Sequence, residues 1–228
     1  MENVYESAHE VKDAIRDARL ESCLVQRADL SVLSFDRHVV DRVGFKSVRL
    51  GGVGFQNATV QQTTFTGAVL RSAQFGHAHV RGTSFLNSEL IETVFQSALI
   101  EGTRFMDTRL QNARFGSARV LNSRFNGVEL YGCTFERAML MHTTFADTRM
   151  QNAQMSNACF KDAVLIDVDL NQANLYGADF SGALLIKVDL RDANLVNTRF
   201  DGARLVGVAT ERADVSDSLR QALARGGK

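Results

Sequence analysis

Every one of the fifteen phenylalanines in this 228-residue chain falls on a residue number divisible by five. From Leu20 to Leu205 each position in that register is Leu, Phe, Val, Ile or Met, without one insertion or deletion. A period of five fits neither an amphipathic helix, at about 3.6 residues, nor a strand, at about 2, so the unit is a short strand plus a turn. Two residues before each centre runs a second inward series, mostly Ala, Thr, Ser, Val or Cys, as at Ala58, Thr63, Ala68, Ala73 and Ala78. Leu33 and His38 are its exceptions.

A second period overlies the first. From Leu30 to Phe145 the centres read Leu, Phe, Val, Phe six times over, with Ile100 and Leu140 standing in for Val. Four units therefore make one coil, and residue n stacks on residue n+20 at the strand spacing of about 4.8 Å. Phe35 to Phe135 becomes one ladder, and Phe45 to Phe145 another on the opposite side. The chain contains no proline, as suits stacked strands that need their backbone N–H groups.

This pattern resembles the pentapeptide-repeat family, A(D/N)Lxx, most closely in ANLYGADF at 173–180 and DANLVNTRF at 192–200. The resemblance covers about four-fifths of the chain. It implies an all-β fold: a right-handed quadrilateral parallel β-helix of about nine coils, with short N- and C-terminal helices. Family functions are diverse, and fold alone does not give function.

Past Phe145 the scheme changes: Met150 and Met155 replace the expected Leu and Phe, and later phenylalanines (160, 180, 200) fall on a different face. We expect one solenoid over 18–208 whose packing shifts near 146–159, where flexible methionines absorb the mismatch. Open ends of a β-stack need caps. Val4, Ala8, Val11 and Ile15 recur at helical spacing, and Ser7 with Glu10 forms a capping-box pattern, so residues 3–17 of an N-terminal segment 1–17 are predicted as a helix that caps the first coil. Val215, Leu219, Ala222 and Leu223 predict a second helix over about 211–225, within a terminal segment 209–228.

The fixed register assigns the outward residues to faces. Val164, Ile166, Leu184, Ile186 and Val206 fall on one face of the last coils as an apolar strip of a kind that soluble monomers rarely leave bare. Two readings stay open: the C-terminal helix folds back over the strip, or strip and helix (Val215, Leu219, Leu223) meet their copies in a homodimer. Resemblance to the quinolone-resistance members, whose C-terminal helix is associated with dimerisation, favours the second. Leu99, Leu121, Met139 and Met141, with Cys159 nearby, make a smaller patch that could receive a protein partner. Arg104, Arg109, Arg114, Arg119 and Arg124 occupy the same outward position in five successive units and girdle one coil. Pairing with Glu89, Asp107 and Glu129 is expected to account for them, and the column Glu89, Arg109, Glu129, Arg149, Asp169 alternates in sign accordingly.

Chemistry finds little footing. His77 and His79 lack further ligands at matching coil spacing, so no metal or other cofactor is expected. Cys23 and Cys133 point inward, and Cys159 has no activating neighbour in view. GGVGF at 51–55 precedes no helix and makes no phosphate loop. Three cysteines and the absence of a leader pattern at the N-terminus point to a cytoplasmic protein, and no apolar run is long enough to span a membrane.

The expected function is a non-enzymatic scaffold for a protein partner, in a bacterial secretion, toxin or resistance setting. The alternative, implied by the family resemblance, is a DNA-mimicking protein that binds gyrase and protects it from a topoisomerase poison. Mimicry of a polyanion needs dense negative charge. Residues 31–150 instead hold thirteen basic and nine acidic side chains, and the whole chain balances 26 against 26. Direct nucleic-acid binding is not expected either, because the girdle points to all sides rather than lining one groove.

Overall fold

The computed structural model describes residues 3–226, so Met1, Glu2, Gly227 and Lys228, which belong to the predicted terminal segments, lie outside the described residues. The chain winds as a right-handed, four-sided parallel β-helix of about ten turns. Its elements run β1 (Asn3–Tyr5), α1 (Ala8–Ala14), β2 (Arg19–Gln26) and β3 (Val39–Lys46). Eight three-residue strands follow: β4 (Thr59–Gln61), β5 (Thr64–Thr66), β6 (His79–Arg81), β7 (Ser84–Leu86), β8 (Leu99–Glu101), β9 (Arg104–Met106), β10 (Arg119–Leu121) and β11 (Arg124–Asn126). The last coils carry β12 (Thr144–Arg149), β13 (Val164–Asp169), β14 (Leu184–Asp189), β15 (Arg204–Val206) and α2 (Asp217–Gly226).

Strands pair in parallel at n and n+20, as Val60 on Val80 and Leu165 on Leu185, and the one antiparallel bridge among the described residues joins Arg16 to Arg19 at the start of β2. Four faces result, which we number by their centres. Face one holds Leu50, Leu70 and Leu90; face two, Phe55, Phe75 and Phe95; face three, Val60, Val80 and Ile100; face four, Phe65, Phe85 and Phe105. All of these centres are buried. The two phenylalanine ladders stack at 4.4–5.1 Å between ring centroids. Across the core they meet edge to face at 6.2–6.4 Å. Both are favoured aromatic geometries.

Each corner turns at the residue two past the centre. From 22 to 212 every such position has positive φ except Val32, whose branched Cβ resists that conformation. Faces one and two end in turns closed by backbone bonds, for example Ala73 N–H to Leu70 O at 3.0 Å and Ala58 N–H to Phe55 O at 3.1 Å. After face three the early corners use a hydroxyl from the next coil. Thr63 Oγ1 accepts from Val43 N–H at 3.4 Å and donates to Val40 O at 3.3 Å, bridging the 40–43 turn. Thr83, Thr103 and Thr143 likewise donate to Val60 O, Val80 O and Val120 O. Beyond the methionines this corner holds Ala163, Ala183 and Ala203, and their own N–H groups close the turn at 3.0–3.1 Å.

The ends differ from the sequence reading in detail. The N-terminal helix occupies only Ala8–Ala14, with the Ser7–Glu10 capping box formed. Val4 lies on β1, which pairs with Cys23–Val25 and adds a turn beyond the nine expected. α2 starts at Asp217 rather than 211, because bridges at Ala209 and Asp214 prolong the solenoid. Leu219 and Ala222 of α2 are buried in the core, closing that end. His38 is half-buried rather than enclosed; its Nδ1 lies 2.8 Å from Asp36 O and its ring meets Phe35 edge-on.

Candidate functional site

The inward positions are filled by the core, so the distinctive chemistry lies in the outward columns. Those columns are straight because pairing never slips from n+20. On face four, Val164 lies beside Leu184 and Ile166 beside Ile186, and Val206 continues the second column with 54% exposure. The four residues on β13 and β14 are half-buried. α2 packs on β15 instead of folding back over β13 and β14. The structure thus brings the five strip residues together and sets the three expected helix residues apart: Leu219 is fully buried in its own chain, Leu223 is partly so, and Val215, also partly buried, precedes α2.

Face three carries the smaller patch. Leu99, Arg119, Met139 and Cys159 form one column, and Leu121 with Met141 stands in the next, beside Glu101. Leu99, Leu121, Met139 and Met141 are all half-exposed, with Arg119 set between Leu99 and Met139. Toward the C-terminus the face turns ionic at Asp179, which is flanked by Lys161 at 3.4 Å and by Arg199. Burial pushes the Asp179 carboxyl up, but hydrogen bonds from Ser181 and the charges of Arg199 and Lys161 outweigh it and hold the group below its ordinary value.

The arginine girdle is not neutralised as the sequence reading expects. Among the described residues only Arg109 of the five finds a carboxylate, Glu89 at 2.9 Å. Glu129 is engaged by Arg149 at 3.4 Å and by Gln111, and Asp107 pairs with none of the five. The alternating column on face one does form, from Glu89 to Asp169. Arg104, Arg114, Arg119 and Arg124 are exposed and have no ion pair among the described residues, and Arg104 and Arg124 stack directly on each other. Arg137, at the corner between faces two and three, is likewise exposed and without an ion pair there. Sequence reasoning did not single it out, since only its place beside Met139 connects it to the patch.

Cys23 and Cys133 are buried; Cys133 donates to Leu110 O at 2.9 Å, and burial pushes its thiol far up. No group of three His, Cys, Asp or Glu side chains that could hold a metal gathers among the described residues. No helix among them is long and apolar enough to cross a membrane.

The pattern described as pentapeptide repeats matches in eight copies over residues 49–85, 108–147, 123–165 and 173–208. No curated protein matches the sequence. Among solved structures, the chain is similar to HetL, a pentapeptide repeat protein involved in heterocyst differentiation regulation from the cyanobacterium Nostoc sp. strain PCC 7120. Identity is 20%, coverage 90% of this chain and 91% of that one, and TM-score 0.38. It is also similar to QnrB1, a plasmid-mediated fluoroquinolone resistance protein, with 13% identity, coverage of 100% and 99%, and TM-score 0.35. Likenesses of that size carry no functional argument.

Proposed function

Because the chain belongs to the pentapeptide-repeat family, whose inward positions are spent on the core, we propose that it is a non-enzymatic scaffold acting through its outer faces. The observation that carries this reading is the strip on face four: Val164, Ile166, Leu184, Ile186 and Val206 stack in register, outside the core and uncovered by α2. Apolar side chains so aligned gain by meeting a second surface. Two copies set strip to strip would bury them in an isologous contact. A dimer of this kind leaves face three free for a protein partner.

Two measurements test the proposal. Light scattering should give about twice the 25.1 kDa chain mass for the native protein, and the monomer for Ile166→Glu combined with Ile186→Glu. Affinity capture from extracts of the source organism should recover a protein that is lost with the Met139→Glu/Met141→Glu pair. A native monomer together with full retention of the captured protein by the still-folded Met139→Glu/Met141→Glu variant would remove these outer faces from the function.

A further inference from the structure

The face-three patch has a composition that specifies its partner. Its centre is apolar, with Met139 and Met141 side by side on one coil and Leu121 beneath. Its rim is cationic: Arg119 lies within it, Arg137 borders one side, and Arg104 with Arg124 stands just across the next corner. None of these four has an ion pair among the described residues. Most arginines elsewhere differ, as Arg49, Arg71, Arg81, Arg149, Arg199 and Arg212 each meet a carboxylate, while Arg16, Arg37, Arg114 and Arg204 lie scattered and lack one among the described residues. The nearest acid on the face, Glu101, is engaged by Arg81 at 3.6 Å. Arginine and methionine, the residues that set this patch apart, are among those enriched where proteins bind proteins.

We propose that this patch docks an acidic amphipathic helix of a partner protein. The proposal rests on the scaffold reading and adds the partner's chemistry to it. Carboxylates on the helix flanks would supply the counter-charges that the chain itself withholds. The spacing argues for a helix. Successive coils present their side chains about 4.8 Å apart. A helix laid along the solenoid axis places residues i, i+3 and i+4 at about 4.5–6 Å, so its apolar stripe keeps step with the coils. An extended strand repeats its facing residues every 6.4–6.8 Å or so and falls out of step within two coils. Nucleic acid would meet Met139 and Met141 where it needs polar contacts, and the remaining girdle residues, Arg109 and Arg114, point away on faces one and two.

The test uses fluorescence anisotropy with a labelled helical peptide of about five turns, carrying leucines at i, i+4, i+7 and i+11 and glutamates on both flanks. Saturable binding to the full chain is expected, weakening as salt rises, and about tenfold weaker when the glutamates become glutamines. Met139→Glu/Met141→Glu and, separately, Arg104→Ala/Arg119→Ala/Arg124→Ala should each weaken it about tenfold or more. Circular dichroism verifies that each variant stays folded, and Met139→Gln/Met141→Gln replaces the first if it does not. Ile166→Glu/Ile186→Glu should bind as the native protein does. The proposal fails if the peptide does not saturate, if the glutamine peptide binds equally, or if the patch variants change nothing. It also fails if a DNA duplex of similar length binds more tightly than the peptide. A failure here, with the native protein still a dimer that Ile166→Glu/Ile186→Glu splits into monomers, would leave the scaffold reading standing on face four and take face three out of it.

Discussion

The coils from Leu30 to Phe145 and those from Met150 to Leu205 reach the same four-sided cross-section with different cores. The earlier coils hold two phenylalanine ladders that touch edge to face across the middle. The later ones hold a single ladder, Phe160, Phe180 and Phe200, stacked on face three at 4.6 and 5.1 Å. Strand placement changes with it. After the eight-residue β3, three-residue strands on faces three and four give way to six-residue strands that run from face four around the corner into face one. The corner after face three shows the coupling. With valine or isoleucine at the centre, a threonine or serine hydroxyl of the next coil supports the open turn. With phenylalanine at the centre and alanine two residues before the next one, the backbone closes the turn itself. The five-residue register therefore dictates the path of the chain, whereas the corner after face three is held differently in the two regions.

Substitutions can break that comparison. Phe95→Ala removes a ring stacked on Phe75 and Phe115 and edge-on to Phe85 and Phe105. It should cost about 3–5 kcal/mol or more in denaturant unfolding. Phe180→Ala removes a ring with stacked neighbours only, and should cost less by the lost edge-to-face pairs, about 0.5–1.5 kcal/mol each. Equal losses would mean that the crossed ladders add nothing. Thr83→Val deletes the hydroxyl that donates to Val60 O, for an expected loss of about 1–3 kcal/mol. Ala183→Thr places a hydroxyl where the turn is already closed, so it should bring no gain in melting temperature. A clear gain would sink the account of the corners.

The smallest effect separates the two regions by pH. Hydrogen bonding to Arg191 holds the Asp189 carboxyl below its ordinary value, and Asp179 is held low by the partners described above. Groups with a depressed folded value stabilise fully above the unfolded value, about 3.9 for Asp, and that contribution is lost as pH falls through the folded value. Amide exchange, corrected for intrinsic rates, should therefore show coils 170–205 losing protection ahead of coils 60–125 on acidification below about pH 4. Parallel loss in both regions would count against it.

Much of the fold was legible because the two inward series never slip. Even the short β1 could have been read: Tyr5 occupies the five-residue register, and Asn3–Tyr5 pairs with Cys23–Val25 at the usual twenty. The helical spacing of Val4, Ala8, Val11 and Ile15 masked it, since one residue can satisfy both periods. The corner code was also on view in Thr63, Thr83, Thr103, Ser123 and Thr143 giving way to Ala163, Ala183 and Ala203. It means little until the turn bonds are seen. The girdle was legible as positions but not as pairings. Whether Arg104 or Arg124 reaches a carboxylate depends on side-chain reach around a corner, which register does not encode. The position of α2 across the coil end likewise depends on where pairing stops, at Asp214, and no residue type announces that stop.

The central claim is that the protein works through particular outer faces of an unbroken solenoid. Site-specific photo-cross-linking in cells of the source organism tests it most directly, with a photoreactive residue placed in turn at Met139 on face three, Ile166 on face four, Arg109 on face one and Gln154 on face two. The account predicts a cross-linked partner protein from position 139 and a cross-linked second copy from position 166, with neither from 109 or 154. Cross-links from faces one and two alone, or from none of the four positions, would contradict it.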